Sequence, residues 1–432
     1  MAGQGIMKGE FKMKKCLIIL YIILGLAFVR SSTGWAGEVE VLVEKLVEKG
    51  ILTPAEGDKV LRETKDEVKK QTKEGKFSPV LPEWVQKTKL TGDFRLRYQW
   101  NNKDNQEERH RGRFRVRLGI ETQVADDIKF MFGLASGTGD PRSTNQTFGG
   151  SNEKKDINID YAAIEYAPKR CLNNKEMGIK LTGGKFRNPL FTVSQLIWDS
   201  DITPEGGAGE FSYNFTNNFG LFTNVGVMVL EENSQDSSDP FMWVIQPGFD
   251  WKINYATNLK WAAGYYSIDN VEGGELKYSS GTNSRVKDKK TGKNVYKYDF
   301  DALTSTVMLG FKEPFGLVRY AGLYGEYVNN LDPSNNNQAF LVGFNFGHEK
   351  VVESKEWQFM LDYRRLERDS VLDILPDSDF YEGSTNAKGP HSSFVYGLKK
   401  NVNFSLNYFY GEQIHGPARP EHVMETDLNF KF

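Results

Sequence analysis

The stretch from Gly112 to Ile120 reads Gly-Arg-Phe-Arg-Val-Arg-Leu-Gly-Ile, with arginine at 113, 115 and 117 and apolar Phe114, Val116, Leu118 and Ile120 between. The same alternation runs from Leu90 to Trp100, where Phe94, Leu96, Tyr98 and Trp100 interleave with Arg95, Arg97 and Gln99. A period of two is the period of a β-strand, whose successive side chains point to opposite faces. One face of these strands is apolar or small and the other polar and largely charged. A soluble sandwich also alternates, so two strands do not decide the class.

Composition narrows it. Only 39% of the 432 residues are hydrophobic and the mean hydropathy is −0.52, which excludes a bundle of membrane-spanning helices. Abundant Phe, Tyr, Trp and Gly suit strands and turns. A net charge of −2 gives no overall attraction to nucleic acid, so any electrostatic function must come from local segregation of charge.

The spacing predicts strands near 88–100, 111–125, 127–136, 157–167, 177–186, 209–216, 219–230, 241–254, 257–268, 299–312, 316–329, 338–348, 353–367, 391–400, 402–411 and 422–432. Their connections alternate between short turns, such as 125–127, 216–218, 255–257, 313–316 and 399–401, and long ones near 137–156, 187–208, 269–298 and 368–390. Short turns at one end, long loops at the other and an even strand number are the asymmetry of an outer-membrane barrel. The expected fold is therefore all-β: an antiparallel transmembrane β-barrel of about 16 strands over 85–432. Pro247 sits inside one strand, where its missing N–H predicts a bulge or a break. The final strand alternates through Met424, Leu428 and Phe430 and ends on Phe432. An aromatic carboxy-terminal strand resembles the assembly signal of bacterial outer-membrane proteins.

The amino-terminal part differs. Lys14 and Lys15 precede an apolar run from Cys16 to Val29 and then Gly34-Trp35-Ala36, the order of a secretory signal peptide over 1–36. After cleavage only Cys171 remains, so no internal disulfide is possible. Residues 37–84 are expected to hold a short helical hairpin and a linker in the periplasm. Val39, Leu42, Val43, Leu46 and Val47 recur at helical spacing up to Gly50, and Thr53-Pro54-Ala55-Glu56 carries a capping-box start for a second helix. The hairpin reads as a tether or an oligomerisation element.

Five guanidiniums, Arg95, Arg97, Arg113, Arg115 and Arg117, fall on the water-facing parity of two adjacent strands. None can face lipid, where each costs about 2–4 kcal/mol at mid-depth. The expected counterpart is the long connection after the fifth strand, 187–208, with Asp199, Asp201 and Glu205 and a sharp Pro204-Glu205-Gly206-Gly207 bend. An acidic loop opposite a basic wall sets a transverse field across a narrow passage.

That loop, with Pro-Glu and glycines opposite arginines, resembles the constriction of general sixteen-stranded porins. The wider wording resembles the putative-porin family of Gram-negative bacteria, in Thr91-Gly92-Asp93-Phe94-Arg95, Gly137-Thr138-Gly139-Asp140-Pro141-Arg142-Ser143-Thr144 and Gly183-Gly184-Lys185-Phe186, with Trp198-Asp199 and Pro204-Glu205-Gly206. The resemblance implies an outer-membrane porin: a passive channel for small hydrophilic solutes or ions, commonly a trimer. No enzyme motif appears in the sequence, so neither enzymatic activity nor a cofactor is expected. The arginines suggest a slight anion preference. Competing readings are a structural or partner-binding barrel without open-channel activity, a barrel hydrolase and a soluble periplasmic β-protein. The five histidines show no metal-ligand spacing, and His391 beside Ser392 and Ser393 is not a triad.

Overall fold

The computed structural model describes residues 43, 45–48, 52–73, 83–172, 176–234, 238–316 and 318–432. The segment read as a signal peptide lies outside these residues. The chain divides into two compact units, Met1–Gln86 and Lys87–Phe432.

In the first unit, α1 (Pro54–Lys73) begins as its sequence dictates. The Thr53 backbone N–H and hydroxyl donate to Glu56 Oε2 at 2.9 and 2.7 Å, and the Glu56 N–H returns a bond to Thr53 Oγ1 at 3.3 Å. This reciprocal box satisfies donors that a helix start otherwise leaves to water. Val43 is buried, and a side chain at Gly57 would collide with Val43 and Val47, so the small residue lets the preceding helical turn approach α1. A single turn, α2 (Glu83–Gln86), follows.

The second unit is one antiparallel ladder. Its strands are β1 (Thr88–Lys103), β2 (Arg109–Ala125), β3 (Ile128–Ser136), β4 (Ile157–Tyr166), β5 (Met177–Lys185), β6 (Glu205–Asn214), β7 (Phe219–Val229) and β8 (Phe241–Lys252). They continue as β9 (Thr257–Asp269), β10 (Phe300–Phe315), β11 (Val318–Asn330), β12 (Gln338–Gly347), β13 (Trp357–Leu366), β14 (Ala387–Lys399), β15 (Val402–Gln413) and β16 (Glu421–Lys431). Each pairs with its sequence neighbours, and β16 pairs back onto β1 from Asp93↔Lys431 to Lys103↔Glu421, closing a 16-stranded barrel. Beside it, the two-residue strand Gln146–Thr147 continues the ladder of β2 above the short β3. A hairpin of Arg285–Lys287 and Asn294–Tyr296 stiffens one loop.

Every predicted strand is present, with shifted ends. β6 begins at Glu205, four residues before the expected start, and β14 begins at Ala387. Pro247 neither bulges nor breaks β8. It stays in register with Thr223, while the ladder to β9 loses two pairs and resumes unshifted at Tyr265↔Ile245. Losing ladder bonds while keeping register is cheaper than flipping every later side chain to the wrong face.

Burial is inverted relative to a soluble protein. Outward Leu90, Ile164, Val227 and Val342 are each more than half exposed, whereas inward Arg97, Gln246, Glu326, Asp362 and Glu425 are buried. Apolar side chains turned outward all round a closed ladder leave lipid as their solvent. Inside, Met242, Val244, Tyr266 and Leu341 of β8, β9 and β12 belong to a buried apolar cluster with Leu196 and Trp198 of the β5–β6 connection and Leu372 and Leu375 of the β13–β14 connection. The core thus lies within the barrel, chiefly against β7 to β13.

Candidate functional site: the charged interior wall

The pleat of β1 and β2 brings the arginines together. In register, Arg95 stands opposite Arg115 and Arg97 opposite Arg113, with Asp93 opposite Arg117. Like charges face each other across the ladder, which is tolerable only if acids or polar groups intervene.

Arg97 is the most heavily compensated. Its Nε and Nη2 donate to Asp427 at 2.7 and 3.0 Å, and its Nη1 donates to Asp379 at 3.0 Å and also to Glu425. The fork holds Asp427 with two parallel bonds, the geometry in which guanidinium and carboxylate match. Arg115 and Arg117 share Asp93 at 2.9 and 2.8 Å, and Arg117 also reaches Asp201 at 3.4 Å. Arg95 donates to Asn145 at 2.7 Å, and Arg113 to Gln99 at 2.8 Å.

The acids of the β5–β6 connection behave differently from one another. Asp201 meets Arg117 and accepts from the Thr144 N–H and hydroxyl at 3.1 and 3.0 Å. Asp199 turns away, accepting the backbone N–H groups of Asp201 and Ser378. Glu205 does not join the arginines. It lies in β6 and pairs with Lys185 at 3.0 Å. The expected sharp bend after Pro204 is absent because residues 205–207 are laddered to both neighbours. Gly206 is needed there for another reason: its φ is +147°, and a Cβ would lie 2.1 Å from the Val227 carbonyl oxygen.

Sequence reading missed the acids that matter most. Asp379 belongs to the β13–β14 connection, and Glu425 and Asp427 to the last strand. It also missed Arg109 and Arg111, although their parity on β2 is that of Arg113. The β13–β14 connection is largely buried. Asp373, fully buried, accepts from Ser279, Thr282 N–H and Tyr296, tying this segment to the β9–β10 loop. Arg364 on β13 pairs with Asp377 at 2.8 Å and with Asp362 at 3.4 Å. Asp362 in turn bonds His391 Nδ1 at 3.0 Å, whose ring stacks on Phe409 with centroids 4.1 Å apart.

Three connections meet over the arginine wall. The Asp199 N–H donates to Leu375 O at 2.7 Å, the Ser378 hydroxyl to Arg142 O at 2.8 Å, and Arg142 Nη1 to the carbonyls of Asp373 and Gly383. The β5–β6 segment is fixed to the opposite wall as well. Glu326 on β11 accepts from the Val193 N–H at 3.2 Å and from the Ser194 hydroxyl, and Gln246 on β8 accepts the Phe191 N–H at 2.8 Å.

Cavities lie on both sides of this junction. Toward the long loops, one of about 230 Å³ is lined by Gln99, Arg109, Arg111, Arg113, Arg142 and Asp379 among others. Toward the short turns, one of about 660 Å³ is lined by Asp93, Arg117, Arg187, Asp199 and Asp201 among others. Among the described residues the two share no lining residue. Arg95, Arg97 and Arg115 stand between them.

A closed antiparallel ladder with a lipid-facing exterior and a charged interior defines an outer-membrane β-barrel. The model of the family described as Putative porin matches residues 58–105, 99–308 and 293–432, and the chain belongs to that family. Among solved structures, OprB of Pseudomonas putida is similar with a TM-score of 0.52 at 12% identity, over 81% of this chain and 96% of that one. A loop-deletion variant of OmpT, an outer membrane protein of Vibrio cholerae, gives a TM-score of 0.46 at 9% identity, over 80% and 100%. A triple mutant of Rhodopseudomonas blastica porin gives 0.41 at 12%, over 80% and 100%. No curated protein matches the sequence.

Proposed function

We propose that this porin conducts small polar or charged solutes passively along the wall of β1 and β2, without catalysing a reaction. The observation that carries the reading is the pair of cavities on either side of the paired arginines, both lined by the same two strands. The apolar cluster packs chiefly against β7 to β13, and a further cavity of about 670 Å³, lined by Lys180, Glu210, Asp250 and Lys260 among others, lies on that side. The wall of β1 and β2 is distinguished by carrying polar cavities at both its ends. The narrowest part lies where Arg95, Arg97 and Arg115 face Asn145, Asp201 and Asp379. Fixed opposite charges there orient water and filter solutes by charge and dipole. Asp199 and Glu205 have no part in this constriction. The barrel works as a homotrimer, the leader at 1–36 is removed on export, and the helical segment lies in the periplasm.

Planar-bilayer recording tests this. The expected result is stepwise conductance closing in groups of three. A second reading, a barrel plugged for structural or partner-binding purposes, draws support from the largely buried β13–β14 connection. Complete silence over a wide voltage range would favour the plug and sink the channel.

A further inference from the structure

The arginines of β2 divide into two sets by what they touch. Arg109, Arg111, Arg113, Arg115 and Arg117 share one parity, so their side chains form one column about 27 Å long on the inner wall. At the lower end, Arg115 and Arg117 are held by Asp93 and Asp201, and the neighbouring Arg97 by Asp379, Glu425 and Asp427. At the upper end the pattern changes. Arg111 donates to the Asn101 amide oxygen at 2.9 Å and Arg113 to the Gln99 amide oxygen at 2.8 Å and the Ser143 hydroxyl at 3.4 Å, and among the described residues neither forms an ion pair. The Nε groups of both are buried without a hydrogen-bond partner.

These upper arginines face the cavity of about 230 Å³ on the long-loop side. Most other charges in its wall are already matched: Lys103 with Glu382, Arg142 with Asp140 at 3.9 Å, and Asp379 with Arg97 at 3.0 Å. Glu107 is exposed, and Glu421 at the start of β16 forms no ion pair among the described residues. What remains is three guanidiniums, Arg109, Arg111 and Arg113, against two unmatched carboxylates, Glu107 and Glu421, with Arg111 and Arg113 bonded to neutral amides and a water-accessible space in front of them.

We propose that this upper vestibule is a binding site for small oxyanion-bearing solutes, carboxylate or phosphate, that enter the channel. Guanidinium forks match both anions with paired N–H donors. Gln99 and Asn101 hold the arginines in place without neutralising them. A bound oxyanion then passes from the unpaired rungs to the paired ones, where it competes with Asp93, Asp201 and Asp379 for the same donors. Binding is therefore strongest above the constriction and weaker within it, the order that lets a solute both enter and leave. The inference rests on the channel reading and adds the solute class to it.

The test uses the full mature protein in planar bilayers. Chloride current is recorded while inorganic phosphate or gluconate is added on the long-loop side, with glucose as the uncharged comparison. Wild type is expected to be anion-selective and partly blocked by both oxyanions but not by glucose. In the double variant R111Q/R113Q the half-blocking concentration should rise about tenfold. The charge-keeping pair R111K/R113K should retain anion selectivity with weaker block, and K289Q on an exposed loop should match wild type. Block by phosphate alone assigns the site to phosphates, and block by gluconate alone to carboxylates. Cation selectivity, or oxyanion block unchanged in R111Q/R113Q, overturns the inference and leaves the channel standing. Absence of all conductance overturns the channel reading. The site is then read by calorimetric titration of the detergent-solubilised protein with phosphate, where binding lost in R111Q/R113Q supports it and no binding to wild type overturns it.

Discussion

At the scale of single residues, the arginines of the inner wall differ in what their loss would do. Arg97 satisfies three buried or half-buried carboxylates at once. Replacing it leaves Glu425 without its guanidinium partner and Asp427 with only Arg95, at 4.0 Å. Breaking a buried ion pair from one side costs about 3–5 kcal/mol, because the abandoned charge stays buried. Arg97→Gln is therefore expected to lower the thermal midpoint of the folded barrel and slow its assembly, followed by heat-modifiable migration on gels. Arg113 hydrogen-bonds only to amide and hydroxyl groups among the described residues and acts on Asp379 from beyond ion-pair distance, so Arg113→Gln should leave stability within about 1 kcal/mol and change ion selectivity instead. The same measurement applied to both variants separates a structural arginine from a conducting one. If the two midpoints fall equally, that distinction is wrong.

Among the elements, the β5–β6 and β13–β14 connections carry the pH dependence. Burial works to raise the Asp199 carboxyl, Asp377 and Asp201 add to it, and the group is pushed well above the ordinary carboxylate range. A carboxyl raised in the folded state gives stability that is fully present below its unfolded pKa of about 3.9 and is lost as pH rises through the folded value. Burial also opposes the charge on Asp379, but Arg97, Arg95 and Arg113 outweigh it and hold this carboxyl below the ordinary range. Its contribution runs the other way: present above about 3.9 and lost as pH falls through the depressed value. The junction of the connections should accordingly loosen at Asp199 on alkalinisation and at Asp379 on strong acidification. Hydrogen exchange of 186–204 and 367–386 against pH checks this, and Asp199→Asn should remove the alkaline limb. Shortening the β13–β14 connection by replacing 371–381 with a brief Gly-Ser linker tests its bulk. Unit conductance should rise severalfold, since a buried segment leaves the lumen, and an unchanged conductance would mean that the segment does not border the route.

For the whole molecule, the proposed trimer predicts channel closures in threes and a detergent-resistant oligomer that heating converts to a single-chain species. The sequence alone determined the wall of this molecule. Alternation in 112–120 and 90–100 fixes which side chains face lipid, because the pleat admits only two faces and guanidinium only one of them. Turn chemistry set sixteen strands and the contrast between the two ends. Strand ends were less legible. Glu205 to Gly207 reads as a turn by composition, yet ladder partners on both sides hold it extended. The interior was decided by tertiary structure. Closing the ladder puts β16 against β1, so that Arg97 meets Asp427 from 330 residues away, and the β13–β14 connection delivers Asp379 across 282. No local pattern encodes those partners. A parity rule says that a charge must face inward, but only the closed barrel and its seated loops decide which charge it meets, and which arginines are left free to bind something else.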